Sequence, residues 1–256
     1  MMIKIIKILV LFSVVLVIEA DFDYCSLTCD HGKFQHTVCI RKKEQCGKGP
    51  KCHPSFRQVA LTDKMRRIIL DRHNALRNKV ATGQEKIGNQ PSASNMRALS
   101  WSRELEYIAQ CWTNNCQYKH DDCRRTKKWG GVGQNVAIQS TYNFVFKDLD
   151  AFERSIKAWY SEVKIFNSSM LPRYESKGET IQHYTQLVWA KTDNVGCAAT
   201  FYKNSTGWNF HLIACNYGPT GNYKYNSVYK QGPPVSDCGK LPVNKKYRGL
   251  CGPDNL

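Results

Sequence analysis

Twelve cysteines, all downstream of residue 20, constrain this 256-residue chain more than any other feature. An even count behind an apolar leader predicts six disulfides formed in an oxidising compartment. Lys4 and Lys7 precede an apolar run at residues 8–18, and Glu19-Ala20 closes it. Residues 1–20 therefore read as a secretory signal peptide, with Ala20 the last residue removed. The run is short for a membrane span and no later one reaches that length, so the mature chain is expected not to span a membrane. No C-x-x-C pair occurs, which removes the usual structural-zinc pattern. Without the leader, 35 basic and 20 acidic residues leave a formal charge of +15. Such a chain is drawn to anionic surfaces such as glycosaminoglycans and acidic lipid head groups, and nucleic acid is not an expected partner outside the cell.

The cysteines are unevenly spread. Cys25, Cys29, Cys39, Cys46 and Cys52 crowd residues 21–60, where few apolar residues lie between them. That extension cannot build its own core and must be stapled, partly to the main domain. A helix should begin at Thr62, carry Met65, Ile68, Ile69, Leu76 and Val80 on one face, and end at Gly83. A second, at 102–115, carries Trp101, Leu105, Ile108 and Trp112. Residues 129–133 then bend the chain into an apolar run at 134–138. A third helix, at 149–166, buries Phe152, Ile156, Trp159 and Val163. Glu162 sits about 60° from Trp159 around that helix, at the margin of the buried face, where a functional carboxylate would look into a cleft and where a solvated helix flank is equally ordinary. Residues 182–223 hold three short β-rich runs, with His183 entering at the first. A turn at 204–207 places Cys197 opposite Cys215, where a disulfide would pin the register. The Pro/Gly-rich tail, 230–256, holds Cys238 and Cys251, expected to pair with each other. Helices first and sheet last predict an α+β fold with helices on both sides of a three-stranded antiparallel sheet. Asn167-Ser168-Ser169 and Asn204-Ser205-Thr206 are N-glycosylation triplets.

Four motifs in order resemble those of the CAP superfamily of cysteine-rich secretory, antigen 5 and pathogenesis-related proteins. They are His73-Asn74-Ala75-Leu76-Arg77, Gly133-Gln134-Asn135-Val136, His183-Tyr184-Thr185-Gln186-Leu187-Val188-Trp189 and Cys215-Asn216-Tyr217-Gly218-Pro219. The match in order and spacing covers residues 61–229. The cysteine-rich front end, with the stretch from Cys116 to Cys123, resembles the antigen 5 branch of arthropod venoms and saliva. The resemblance implies a three-layer α-β-α sandwich around a short antiparallel sheet. It also implies the bridges Cys25–Cys39, Cys29–Cys123, Cys46–Cys116 and Cys197–Cys215, which leaves Cys52 to pair with Cys111. Cys238–Cys251 is similar to the tail of fly-type relatives.

The resemblance further implies a cleft lined by His120, Gln134, Glu162 and His183. Gln134 departs from the family pattern, since an amide stands where a carboxylate is usual. His120 and His183 are the candidate ligands for zinc or another divalent cation, with no cofactor required. The bland alternative is a polar cluster that orders loops through hydrogen bonds. No nucleophile-elbow pattern is present, and a Ser161/His183/Glu162 set or metal-bound water are the remaining catalytic arrangements. The expected function is therefore binding by a secreted, monomeric, antigen 5-like venom or salivary protein and allergen. The implied ligand is a small hydrophobic or acidic lipid such as a fatty acid, leukotriene or sterol, with a host protein or anionic glycan as a further partner. Ile68, Leu76, Phe152 and Ile156 are the residues that would line a lipid channel between two helices. The alternatives are a metal-dependent hydrolase and a channel- or receptor-blocking toxin. No Arg-Gly-Asp triplet supports an integrin route.

Overall fold

The computed structural model describes residues 22–176, 178 and 180–256; the expected signal peptide lies outside them. The extension contributes four small elements: β1 (Thr28–Cys29), β2 (Phe34–Gln35), one helical turn α1 (Thr37–Ile40), and β3 (Arg57–Gln58). Thr62 then caps α2 (Asp63–Ala81), its hydroxyl accepting from the Met65 N–H at 3.2 Å. β4 (Ser100–Trp101) follows, and Ser102 caps α3 (Arg103–Thr113) in the same way. β5 (Gly133–Tyr142) leads to α4 (Asp148–Tyr160), which tightens into a 3-10 turn at Ser161–Lys164. A short helix α5 (Gln182–Leu187) precedes β6 (Asn194–Lys203) and β7 (Trp208–Gly218).

β6, β7 and β5 form the antiparallel body of a five-stranded sheet. β3 pairs antiparallel with the end of β6, and β4 pairs parallel with its start. Cys197 lies opposite Cys215, and their disulfide pins that register. One sheet face presents Ala198, Leu212, Ala214 and Val136 to Ala109 of α3. A Cβ at Gly196 would collide with the backbone of Glu106, so α3 lies directly on β6. The opposite face packs Cys197, Ala199, Ile213 and Tyr217 against α2, α4 and α5. The result is the expected α-β-α sandwich, with the sheet as its central layer.

The buried face of α2 differs from an apolar stripe. Ile69 and Val80 are fully buried as expected, but Met65, Ile68 and Leu76 are only partly so, and His73, Asn74 and Arg77 are wholly buried beside them. Among the described residues Arg77 hydrogen-bonds no carboxylate; it donates to the carbonyls of Arg97, Leu187, Trp189, Ala190 and Thr192 at 2.7–3.4 Å. Arg97 lies in the loop entering β4, and the other four run from the end of α5 into the loop entering β6, so one guanidinium ties those two loops together. Burial draws it down to about 9.

The largest departure from expectation concerns residues 182–188. His183 enters no strand; it lies on α5. The run is too short for periodicity to separate helix from strand. Tertiary contacts decide: the Tyr184 N–H in the first turn reaches Glu162 Oε2 at 3.0 Å, and Arg77 takes the Leu187 carbonyl at 2.8 Å where the helix ends. The third long strand is β5, which carries the 134–138 run. The third helix is also shorter than expected, so Glu162 projects from its 3-10 turn.

The bridges Cys25–Cys39, Cys29–Cys123, Cys197–Cys215 and Cys238–Cys251 connect as expected. Two do not: Cys46 pairs with Cys111, and Cys52 with Cys116. Residues 46–52 run along α3 in the helix's own direction. Cys46 meets the buried Cys111 within α3, and Cys52 meets Cys116 just beyond its end. Asn114 holds this alignment, donating to the Cys46 carbonyl at 2.8 Å while its own carbonyl accepts from the Gly49 N–H at 2.8 Å. The tail returns to the body through Ala98 N–H to the Cys251 carbonyl and Trp101 N–H to the Asn255 carbonyl, at 2.8 and 2.7 Å.

Candidate functional site

His120 lies on the loop after α3, a segment with no regular structure to hold it. Cys52–Cys116 and Cys29–Cys123 tie down its two ends, and the Trp112 indole donates to the Lys119 carbonyl at 2.8 Å. His183 is fixed from α5, its ring stacked on Trp159 with centroids 6.0 Å apart. Between them stands β5. Gln134 and Asn135 are consecutive and face opposite sides of the strand. Gln134 contacts the His120 ring at 2.8 Å, and Asn135 donates to the His183 carbonyl at 3.1 Å.

The hydrogen bonds determine what each imidazole presents. The Gln134 amide nitrogen donates to Asp121 Oδ1 at 2.9 Å and to Asn216 Oδ1 at 3.1 Å. Both partners are acceptors, so the amide oxygen is the atom facing His120. His120 Nδ1 must then carry the proton, and its Nε2 keeps a lone pair. On the other side, Glu162 Oε1 accepts from His183 Nδ1 at 2.6 Å, and Oε2 accepts from the Tyr184 N–H at 3.0 Å. Neutral His183 likewise presents Nε2. Burial pushes the His120 imidazole below its ordinary value against the opposing Gln134 hydrogen bond, and the nearby Arg124 guanidinium adds to the downward push.

The four expected residues thus come together as two tethered pairs, His120 with Gln134 and His183 with Glu162. Both Glu162 oxygens are engaged, Oε1 by the His183 ring and Oε2 by the backbone of α5, so the carboxylate orients the ring. The donor set for a cation is two imidazole nitrogens. Among the described residues, one set of three ligand-type side chains lies within 4.8 Å: His73, Cys197 and Cys215. Its sulfurs are joined in a disulfide and so are not thiolate ligands. The Ser161 hydroxyl donates to the Ala158 carbonyl at 2.7 Å, at the end of α4.

Several residues beyond the expected four build the site. Asp121, buried beside His120, accepts from Gln134, Arg124 and Thr37, so the extension reaches the cleft through α1. Tyr217 donates to His73 Nε2 at 3.0 Å and accepts from Asn135 at 3.4 Å. Asn135, Asn216 and Tyr217 lie within the quoted motifs, and that was their signal. Asp121 had none beyond adjacency to His120.

The helical seam proposed for a lipid is filled. Phe152 and Ile156 are core residues at 0% and 2% exposure, with Leu76 packed against the same cluster. Their period marked burial, and burial alone does not make a channel. A cavity of about 520 Å³ lies elsewhere, with Trp189 and Pro219 against Tyr223 and with Lys191 and Asn95 in its lining.

A family model described as "CAP: Cysteine-rich secretory protein family" matches residues 70–217. "Venom allergen 5.02" of Dolichovespula maculata is 38% identical over 213 residues, covering 82% of this chain and 94% of that protein. "Venom allergen 5" of Vespula maculifrons is 40% identical over 213 residues, covering 81% and 98%. A crystal structure described as NaASP2 with Zn2+ superposes with a TM-score of 0.63 at 29% identity, over 78% of this chain and 100% of that one.

Proposed function

Because the chain belongs to the cysteine-rich secretory protein family, and within it is venom-allergen-like, we propose that it acts by binding and that its cleft takes a divalent cation on His120 and His183. The carrying observation is the tethering of each ring through Nδ1, which leaves two Nε2 lone pairs for a metal. Two protein ligands make a weak, water-completed site suited to presenting a cation. A cation bound there would polarise and orient an oxygen of a bound molecule. Catalysis has less support: every described cysteine is in a disulfide, Ser161 is turned to the helix end, and Gln134 replaces a general base. Calorimetry with zinc tests the reading. Wild type should release heat that His120→Ala and His183→Ala each abolish. No heat from wild type, or heat unchanged in both variants, overturns it.

A second reading, an acidic amphiphile, is favoured by the Trp189 cavity. Its volume suits a small ligand, its floor is aromatic, and Lys191 offers a cation for a carboxylate. Native mass spectrometry with fatty acids and leukotrienes should give an adduct that Lys191→Glu weakens. No adduct at micromolar ligand sinks this reading and leaves the cation reading untouched.

A further inference from the structure

Large apolar side chains are concentrated at one end of the sheet and left in solvent. Tyr142, Phe144, Val145 and Trp208 are 52%, 57%, 52% and 42% exposed. Tyr142 and Trp208 are cross-strand partners of β5 and β7, with ring centroids 5.5 Å apart. The loop that follows Tyr142 is held firmly: Asn143 takes a left-handed conformation, and the Phe144 carbonyl accepts from Thr141 Oγ1 and from the Asn209 amide at 2.5 and 2.8 Å. Ordered, contiguous apolar surface of this kind marks a place something covers.

The same corner holds the β6–β7 turn, and with it the triplet Asn204-Ser205-Thr206. Gly207 closes the turn at φ +88°, and a Cβ there would touch the Tyr142 ring at 3.5 Å. The Asn204 side-chain oxygen accepts three hydrogen bonds, from the Thr206 N–H at 3.1 Å, the Thr206 hydroxyl at 2.9 Å and the Trp208 N–H at 2.9 Å. With the oxygen engaged in the loop, the amide nitrogen is the atom left for modification, in the same turn that Trp208 closes. The other triplet is built differently. Asn167 caps a 3-10 turn through the Ser169 N–H at 2.9 Å, and its exposed neighbour Ile165 offers no ring.

We infer that Asn204 carries an N-linked glycan whose first sugar, an acetylated hexosamine, packs on the exposed Tyr142–Trp208 pair. In the transfer, Asn204 Nδ2 bonds to the anomeric carbon of a lipid-pyrophosphate-linked oligosaccharide. The bond from that carbon to the pyrophosphate oxygen breaks, the pyrophosphate leaves with the electron pair, and Nδ2 loses one proton. The sugar's C–H face then buries aromatic surface that is otherwise wet, while its hydroxyls stay in solvent. The inference rests on passage through a secretory compartment, which in the test is supplied by a host leader, independently of residues 1–20.

Six tryptophans make the test selective. Trp101, Trp112, Trp129, Trp159 and Trp189 are all below 10% exposed, so Trp208 dominates quenching by a neutral collider. The full chain is secreted from insect cells and its intact mass measured before and after peptide-N-glycosidase treatment. The expected result is a glycan mass that Asn204→Gln removes and Asn167→Gln leaves in place. Removing the glycan should steepen acrylamide quenching of wild type, while Trp208→Phe shows equal slopes with and without it. An unmodified Asn204 peptide overturns the inference. So does a glycosylated protein whose quenching is unchanged when the sugar is removed.

Discussion

Glu162 holds His183 through Nδ1 at 2.6 Å, and its second oxygen takes the Tyr184 N–H at 3.0 Å. One carboxylate therefore sets both the ring's orientation and an otherwise unpaired N–H in the first turn of α5. Replacing Glu162 with Ala frees the ring to choose its tautomer and leaves that N–H without its partner. Zinc affinity should fall by about 10- to 100-fold, the usual effect of removing an outer-sphere partner, read by calorimetry. An unchanged affinity would show that Glu162 does not prepare His183.

Gln134→Glu, which restores a family-type carboxylate, should not improve the protein. The amide nitrogen now donates to Asp121 and Asn216; a carboxylate would face Asp121 as a like charge and lose both bonds. A loss of about 1–3 kcal/mol is expected in urea unfolding at neutral pH, shrinking as pH falls and one of the pair is protonated. A more stable variant would contradict the orientation assigned to Gln134.

His73 gives a pH dependence. Burial lowers its imidazole from 6.5 to about 4 in the folded chain, while the unfolded chain keeps the ordinary value. The unfolded state thus takes up a proton that the folded state refuses, so stability should fall as pH drops from about 6.5 and level off below about 4. The size is on the order of 3 kcal/mol, from the linkage of one pKa unit to 1.36 kcal/mol. Unfolding measured at pH 7 and pH 4.5 should show a drop that is smaller in His73→Gln. Parallel behaviour of the two proteins would remove His73 as the cause.

Arg77→Met should be among the most damaging single changes. The methionine fills much of the volume but takes the donor from the carbonyls of Arg97, Leu187 and Thr192, while those of Trp189 and Ala190 keep a backbone N–H. A loss of about 3 kcal/mol or more is expected in denaturant unfolding, since buried polar groups stripped of partners carry their full desolvation cost. Lysine should not rescue it, because one ammonium cannot span the fan of acceptors.

Peptide mapping without reduction should recover the linkages Cys46–Cys111 and Cys52–Cys116. Recovery of Cys46–Cys116 would reverse the placement of residues 46–52 along α3.

The sequence carried the layer order well, because long amphipathic helices and the cysteine-pinned hairpin are local signals. It carried α5 poorly: six residues that read as a strand form a helix whose first turn is held by Glu162 and whose end is capped by Arg77, more than a hundred positions earlier. The four cleft positions came from motif likeness, and the motifs also contained Asn135, Asn216 and Tyr217. Asp121 could not be read that way. Its role depends on Thr37, Arg124 and Gln134 meeting around it, and only the folded chain brings those together. The pairing of Cys46 and Cys52 was beyond reach for a similar reason, since it depends on the direction in which an irregular segment runs along a helix.

β3, two residues long, covers part of the β6 edge through Arg57 and Gln58, and Arg57 is clamped to Asp148 by two bonds of 2.9 and 2.7 Å. Remove the extension and that edge becomes a free row of backbone donors and acceptors. A chain begun at Leu61 would then recruit neighbouring molecules strand to strand. The stapled front end acts in this sense as a built-in guard against self-association.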